Sequence, residues 1–439
     1  ENLDKTVFTI QFGYPPQVFE IKDIELYVFP ESIEFNQLPY TKITYPGMEN
    51  EAVWRTEALK KIDEIRKGKF SLFFYKNNQP LKNADVEINQ LSHHFRFGAA
   101  VSTEQILNQP NYYQTVKKLF NIVVFENDLK AKRWKNTKNR PATIEAIDKL
   151  NTDNIKVKGH VLLWPGFNYL PDDYEQNKLN PNYLQKLISQ HYKSILEDTK
   201  GKISHWDVLN EAYTNKDIPE ALGSNEVLFD AFIQAKKLDP NAKRFINEYG
   251  IISGGGINTK KQDWYFNFIK EIDTKTNGAI NGIGMQSHIG TDVTPPSKVI
   301  EILNRFATLN KEISISEFTL DIMDDEELRA QYTRDFMIAA FSNPSVKEFL
   351  FWGFYAPMHP KAALVNENYQ LTKMGQAYYD LVFKDWMTKS AKKTNDIGLF
   401  FDTGFYGTYE FTVKLEGKIF KGTFEVVPDN SNKLKINLQ

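Results

Sequence analysis

The 439-residue chain is long enough for one large domain and a small one, and its composition, 41% hydrophobic and 25% charged, is ordinary for a globular protein. Its formal net charge of −2 creates no field that favours polyanions, so we expect no nucleic-acid partner. No apolar run of about 18 residues occurs, and we therefore expect no membrane span. The absence of cysteine excludes disulfides, thiol nucleophiles and thiolate metal sites.

The N-terminal segment, residues 1–92, is predicted to be β-rich with one helix. Short alternating runs at 7–12 and 24–28 are typical of strands. Between 51 and 67 the apolar residues recur at helical spacing, which predicts the helix. Two strand-like runs between residues 69 and 91, separated by a turn sequence, then indicate a hairpin.

The central segment, residues 93–388, alternates strand, loop and helix patterns. Eight core strands are predicted, at 95–101, 121–125, 156–163, 203–209, 243–247, 282–288, 312–316 and 348–354. Eight such units, with polar residues gathered where the strands end, are typical of a TIM barrel, the (β/α)8 member of the α/β class. A doubly wound open sheet is the alternative, and the lack of a Gly-x-Gly-x-x-Gly motif after any strand weakens it.

The C-terminal segment, residues 396–439, returns to strand patterning after a polar, Lys-rich stretch at 389–395 that we interpret as a linker. About 40 residues cannot readily form an independent core. We therefore expect this tail to pack with the N-terminal strands in one discontinuous accessory β-sandwich. The sandwich could bind sugars or cap the barrel, and we favour the structural role.

Two glutamates follow apolar, strand-like runs: Glu211 ends the run from His205, and Glu317 ends the run from Ile313. Glycoside hydrolysis needs two carboxyl groups, one to protonate the leaving oxygen and one to act as nucleophile or base. A single strand-terminal glutamate is more often a surface ion-pair member. The pairing of the two is what indicates chemistry.

Several motifs in chain order extend this interpretation. They are Glu126-Asn127-Asp128-Leu129-Lys130, Gly159-His160-Val161-Leu162-Leu163-Trp164, Trp206-Asp207-Val208-Leu209-Asn210-Glu211, Asn247-Glu248-Tyr249, Gly282-Ile283-Gly284-Met285-Gln286-Ser287-His288 and Ile315-Ser316-Glu317. Together they resemble glycoside hydrolase family 10, the retaining endo-β-1,4-xylanases, over residues 54–381.

The resemblance implies a role for each matching residue. Glu211 would be the acid/base and Glu317 the nucleophile. Gln286 would face the acid/base, while His288, with a donor from strand two or three, would keep the nucleophile ionised. The substrate-binding residues implied are Asn127, Lys130, His160, Trp164, Asn210, Tyr249, Gln286, His288 and Trp352.

The resemblance also implies partners and setting. We expect a polysaccharide substrate, xylan or a related β-glycan, a monomeric enzyme, no cofactor and no metal, because His160, His288 and His359 lack ligand spacing. The chain begins at Glu1, which suggests removal of a leader or trimming, and we expect an exported protein. The alternatives are a β-glycanase acting on a decorated or different polymer, and a carbohydrate-binding protein without turnover.

Three positions depart from the family pattern. Pro165-Gly166-Phe167 replaces a stretch that usually carries a sugar-binding glutamine. Thr319 stands where an aspartate usually supports the nucleophile strand, and Asp321 is the candidate to compensate. The loop at 352–360 lacks the tryptophan that usually roofs the catalytic subsite. We therefore expect intact chemistry and an altered sugar-binding side.

Overall fold

The computed structural model describes residues 18–30, 32–34, 37–38, 42–428 and 430–438. The strand predicted at 7–12 lies outside these residues. The strand predicted at 24–28 is wrong: residues 18–30 form no regular secondary structure, and their apolar side chains are exposed, as at Leu26 (88%).

The described chain contains strands of two bodies, a barrel and a β-sandwich. In chain order the strands are β1 Lys67–Lys76, β2 Gln79–Pro80, β3 Asp85–His93, β4 Arg96–Val101, β5 Ile122–Phe125, β6 Lys156–Leu163, β7 His205–Asn210, β8 Lys243–Glu248, β9 Gly282–Met285, β10 His288–Ile289, β11 Glu312–Leu320, β12 Val346–Phe351, β13 Lys389–Lys393, β14 Leu399–Phe405, β15 Gly407–Leu415, β16 Lys418–Val426 and β17 Lys433–Leu438.

The α-helices flank the barrel strands. They are α1 Val53–Arg66, α2 Thr103–Asn108, α3 Pro110–Leu119, α4 Ala131–Lys135, α5 Arg140–Thr152, α6 Asp172–Gln176, α7 Pro181–Asp198, α8 Asp217–Leu222, α9 Glu226–Leu238, α10 Thr259–Lys275, α11 Pro296–Ala307, α12 Glu326–Phe341 and α13 Lys373–Asp380. Short 3-10 turns lie at Phe167–Tyr169, Gly254–Gly256 and Pro360–Ala362, and a π turn lies at Leu381–Asp385.

The predicted (β/α)8 barrel is confirmed. Eight parallel strands run in the order β4-β5-β6-β7-β8-β9-β11-β12, and β12 pairs with β4 to close the ring. Each predicted core strand is present. The sixth breaks after Met285 and resumes as β10, and the seventh continues past residue 316, so that Glu317 lies within β11 and not at its end.

Glycine sets the close packing inside the barrel at one point. A Cβ on Gly159 of β6 would lie 2.2 Å from the Trp206 ring of β7. The buried indole therefore fits only against a bare backbone, which lets β6, carrying His160, pack closely on β7, which Glu211 follows.

The accessory β-sandwich joins strands from both ends of the chain. One sheet has the order β14-β1-β17, with β2 on β1, and the other has the order β13-β3-β15-β16. Phe70 and Phe74 of β1 pack between the sheets against Tyr409, Phe411 and other apolar side chains of the C-terminal strands. The tail thus obtains from the N-terminal strands the core that it could not build alone.

Two segments differ from the sequence-based assignment. The helix α1 packs on the barrel instead of in the sandwich, because Arg55 is bound to Asp335 of α12 at 2.6 Å and Arg66 donates to the Phe341 carbonyl. The stretch interpreted as a linker forms β13, which pairs with β3. Four of its five residues are exposed, three of them lysines, which suits a solvated edge strand.

The sandwich meets the barrel at the end where the barrel strands begin. The chain leaves β3 at His93 and enters β4 at Arg96, and Trp386 stacks on Phe341 with ring centroids 4.2 Å apart at this junction. The opposite end of the barrel, where the strands finish, is therefore left open.

Candidate active site

A cleft of about 360 Å³ opens at the carboxyl ends of the barrel strands. Most of the predicted site residues line it, and one further residue, Ser253, was not predicted. The lining consists of Lys130, His160, Trp164, Asn210, Glu211, Tyr249, Ser253, Gln286, His288, Glu317 and Trp352. Of the predicted set, Asn127 lies outside this lining; its exposed side chain accepts a hydrogen bond from Lys130 Nζ at 3.0 Å.

Glu211 is half-buried and is held by neutral donors. It follows β7 with a φ of 54°, a left-handed conformation that turns the side chain into the cleft. Trp164 Nε1 donates to its Oε2 at 3.1 Å, and Gln286 Nε2 donates to its Oε1 at 2.9 Å. Neither donor carries a charge.

Glu317 is 5% exposed and is held by different partners. Asn247 Nδ2 donates to its Oε1 at 2.7 Å, and His288 Nε2 lies 3.1 Å from its Oε2. Burial by itself raises the pKa of Glu317, but the His288 hydrogen bond and the nearby His160 outweigh it and hold the pKa below its usual value. The second donor comes from β8, not from strand two or three as predicted.

Asn247 is a functional residue whose role the sequence analysis missed. The same amide that donates to Glu317 donates to Asn210 Oδ1 at 3.0 Å, and its oxygen accepts from Ser316. Asn210 Nδ2, in turn, is buried without a partner in the described structure. Its position in the cleft lining leaves that donor available to a bound ligand.

His288 is supported by Thr319 and not by Asp321. Its Nδ1 lies 3.0 Å from Thr319 Oγ1, whereas Asp321 pairs with Lys361 at 2.5 Å on the surface. The expected compensation by Asp321 is therefore wrong. The hydroxyl that replaces the usual aspartate occupies the support position itself.

His160 is oriented from inside the barrel by buried charges. Its Nδ1 lies 3.0 Å from Asp207 Oδ2, and Lys158 lies 3.0 Å from the other oxygen of that carboxylate. Burial raises the pKa of Asp207, but Lys158 and His160 overcome it, so the net pKa is lowered. This arrangement fixes the face that His160 presents to the cleft.

Aromatic side chains form one wall of the cleft. The Trp164 ring is covered on one face by Tyr169, with centroids 3.6 Å apart and planes 4° from parallel, and Lys130 Nζ lies 5.1 Å from its centroid. Trp352 stands edge-on to His160 at 5.2 Å. Tyr169 lies in the 3-10 turn that begins at Phe167, at the end of the stretch that lacks the usual glutamine.

The loop after β12 is tied to the loop after β5. His359 Nε2 lies 3.1 Å from Glu126 Oε2, and this hydrogen bond lowers the pKa of Glu126. A Cβ on Gly353, whose φ is 101°, would lie 2.0 Å from the His359 ring. Glycine is required there because the His359 ring packs directly against the backbone at position 353.

Opposite this wall, Tyr249 is 37% exposed and lies against a buried ion pair. Lys261 Nζ is 3.1 Å from the Tyr249 ring centroid and 2.9 Å from Glu248 Oε1. Burial raises the pKa of Glu248 to about 7, against the opposing effect of Lys261.

Two negative findings concern the part of the chain that the structure describes. Within it, no three His, Asp or Glu side chains gather where they could hold a metal ion. Among the same residues, no helix has the length and apolar composition to cross a membrane.

Comparisons with known proteins agree with this geometry. Residues 88–382 match the model of glycosyl hydrolase family 10. The chain is 31% identical over 381 residues to the anti-sigma-I factor RsgI6 of Acetivibrio thermocellus, covering 83% of this chain and 47% of that protein. It is 28% identical over 393 residues to endo-1,4-beta-xylanase 1 of Arabidopsis thaliana, covering 87% of this chain and 40% of that one. The chain thus spans about half the length or less of these two relatives.

A solved structure shows the same fold. The crystal structure of xylanase 10B from Thermotoga petrophila, in complex with xylobiose, superposes with a TM-score of 0.59 at 25% identity, covering 66% of this chain and 95% of that one. The family model covers more than half of the chain, and the barrel and the cleft are those its motifs imply. The chain belongs to glycosyl hydrolase family 10.

Proposed function

We propose that this protein is a retaining glycoside hydrolase that cleaves internal β-1,4-xylosidic bonds of xylan by double displacement. The observation that carries the proposal is the unlike environment of two carboxyl groups on one cleft. Glu211 is bound by neutral donors, and Glu317 is bound by an amide and an imidazole. This is the division between a proton donor and an ionised nucleophile that the reaction needs.

In the first step, Glu317 attacks the anomeric carbon while Glu211 gives its proton to the departing glycosidic oxygen. The glycosidic bond breaks, and an ester forms between the sugar and Glu317. In the second step, Glu211 removes a proton from water, which displaces Glu317 and restores both groups. A carboxyl separation of roughly 5 to 5.5 Å would accompany this retaining course.

The aromatic wall of the cleft, which contains Trp164, differs from the family pattern, and this difference supports a preference among xylans. The stretches that lack the family's glutamine and tryptophan are 165–167 and 352–360, and Tyr169, stacked on Trp164, and His359, bound to Glu126, lie beside or within them. We expect the cleft to accept a decorated sugar at this wall. Xylan is a polymer that a cell does not take up whole. The proposed substrate therefore supports an exported protein.

The test is digestion of linear and branched xylans with chromatographic analysis of the products. We expect release of short oligosaccharides, faster from branched xylan, and proton NMR of the first products should show the β anomer. An α first product would exclude double displacement. Equal preference for undecorated xylan would exclude the proposed tolerance, and no product from any xylan would exclude the substrate class.

A second candidate function is carbohydrate binding without turnover. One relative is named an anti-sigma factor and not a hydrolase, which favours this alternative. A binding-only cleft has no need of two carboxyl groups with opposed hydrogen-bonding partners, so we place it second. Binding of xylan by the unchanged protein without any hydrolysis over a day would reverse this order.

A further inference from the structure

The two outer faces of the accessory sandwich differ in composition. On the sheet of β13, β3, β15 and β16, outward charges pair with one another. Lys414 binds Glu87 at 2.8 Å, and Lys421 binds Glu410 at 3.0 Å. This face has the composition of an ordinary solvated sheet.

The other outer face, on β14, β1 and β17, carries aromatic side chains. Phe70, Leu72 and Phe74 of β1 point into the core, so by alternation the side chains between and after them point outward. The outward set includes Phe73, Tyr75, Leu399 and Phe401, and we call it the aromatic face.

Strand register brings the members of this face together. Phe73 lies opposite Leu399 on one side and Lys435 on the other, and the next outward position, Ser71, lies between Phe401 and Lys433. Phe401 is 51% exposed. Cross-strand neighbours on one face are close enough to act as one surface.

Lysines without carboxylate partners border the aromatic face. Lys69, Lys433 and Lys435 are exposed and form no ion pair with any residue that the structure describes. No outward position of β1, β14 or β17 carries Asp or Glu. The face is therefore both aromatic and uncompensated in positive charge, unlike the self-paired sheet behind it.

We propose that the aromatic face is a second, non-catalytic carbohydrate-binding surface for a β-glycan that carries uronic acid substituents. Flat aromatic side chains pack against the C–H faces of sugar rings, and the lysines supply charge that complements the uronate carboxylates. A neutral glycan would use the aromatic side chains but leave the positive charge uncompensated, which is why the acidic class fits better.

The position of the face determines what it can do. The sandwich joins the barrel where the strands begin, whereas Glu211 and Glu317 lie at the opposite end. One short oligosaccharide filling the cleft does not extend across the barrel to the sandwich. The face would instead hold a separate stretch of the same polymer, which raises the local concentration of substrate near the cleft. This inference extends the proposed function but does not depend on turnover.

The test is affinity electrophoresis of the full chain in gels containing glucuronoxylan or neutral arabinoxylan, with Glu317→Gln as background to prevent digestion. We expect Phe401→Ala to weaken binding to both polymers by about fivefold, as for loss of one aromatic contact. The double substitution Lys433→Ala, Lys435→Ala should weaken binding to glucuronoxylan alone. Ile419→Ala, at a 64% exposed position of the other sheet, is the matched control and should change nothing.

Hydrolysis assays distinguish failure of the proposed binding surface from failure of the proposed catalytic function. With Glu317 intact, Phe401→Ala should cleave xylohexaose as the unchanged protein does and act more slowly on dilute glucuronoxylan. Loss of polymer binding in Phe401→Ala supports the surface even if xylohexaose is never cleaved. Unchanged polymer binding in both the Phe401 and the lysine variants, or equal loss in Ile419→Ala, would overturn the surface whatever the activity.

Discussion

The two carboxyl groups on the cleft are positioned by different kinds of backbone and different kinds of partner. Glu211 stands just past β7 in a left-handed conformation, half-buried between an indole and an amide. Glu317 lies inside β11, nearly fully buried, between an amide and an imidazole. The comparison indicates that this fold gives two identical side chains different partners: neutral donors alone at Glu211, and an amide and an imidazole at Glu317.

The backbone of β11 shows how the interior of a strand can present a side chain to the cleft. The register of β11 against β12 shifts between Ile315 and Phe318, which is an irregularity of the kind that re-aims a side chain. Glu317 N still donates to the Gln286 carbonyl at 3.0 Å. At Glu317, β11 thus keeps its backbone hydrogen bond to Gln286 on one side, while its pairing with β12 on the other side is irregular.

Removal of Glu317 should have the largest effect. In Glu317→Ala the ester intermediate cannot form, and we expect kcat on xylan to fall by roughly 10⁴-fold or more. Added azide, a small anion that fits the vacated space, should restore turnover and yield an α-linked sugar azide. Activity of Glu317→Ala above about one hundredth of the original would contradict its role as nucleophile.

Glu211→Ala should test whether Glu211 is the proton donor. Loss of a general acid typically costs 10²- to 10⁴-fold, so we expect a fall of that order on xylan. An aryl xyloside with an acidic phenol needs no proton to depart, and its first step should be nearly unaffected. If the aryl substrate loses as much activity as xylan does, Glu211 is not the proton donor.

His288→Asn should change the pH profile more than the maximum rate. The His288 hydrogen bond lowers the pKa of Glu317, and its loss lets that pKa rise. Because the nucleophile must be ionised, the acid limb of kcat/KM should move to higher pH. Hydrogen bonds to charged groups contribute about 1.5–3 kcal/mol, which corresponds to a fall of roughly 10- to 100-fold at acid pH.

The control for this variant is the alkaline limb, which should stay where it is, because His288 does not contact Glu211. A uniform drop at every pH would indicate that His288 only positions the substrate. A shift of the acid limb toward lower pH would contradict the proposed role.

The barrel was predictable from sequence because parallel strands buried on both faces read as continuous apolar runs. Ile122–Phe125 is one such strand, with all four residues buried. The strand at 24–28 is predicted instead from alternating apolar and polar residues, but no neighbouring strand pairs with it among the described residues. Local pattern indicates that a segment can be a strand and does not indicate whether a partner exists.

Asn247 and Tyr169 were missed for the same physical reason. Asn247 acts through an amide that reaches two other strands, and Tyr169 acts by covering the Trp164 ring from a short 3-10 turn. Neither role follows from chemistry visible at the residue's own position. The one signal available for Asn247 was its place at the end of a strand beside Glu248 and Tyr249. Sequence reasoning located the two carboxyl groups and the contacts of Gln286 and His288 with them, but missed Asn247 and Tyr169.

Thr319 offers the smallest and most specific test of how the nucleophile is supported. With Nε2 of His288 donating to Glu317, Nδ1 of a neutral imidazole can accept from the Thr319 hydroxyl at 3.0 Å. An aspartate at this position would instead favour the charged imidazolium. Thr319→Val removes only the hydroxyl, and loss of one neutral hydrogen bond should lower kcat about 2- to 10-fold.

Thr319→Ser keeps the hydroxyl and is the matched control, which should retain nearly full activity. Thr319→Asp should move the acid limb of kcat/KM to lower pH, because a carboxylate behind His288 favours the imidazolium, which holds ionised Glu317 more strongly. If Val, Ser and Asp at this position are all alike in rate and pH profile, the hydroxyl does not orient His288. In that case His288 keeps its contact with Glu317 without support from position 319.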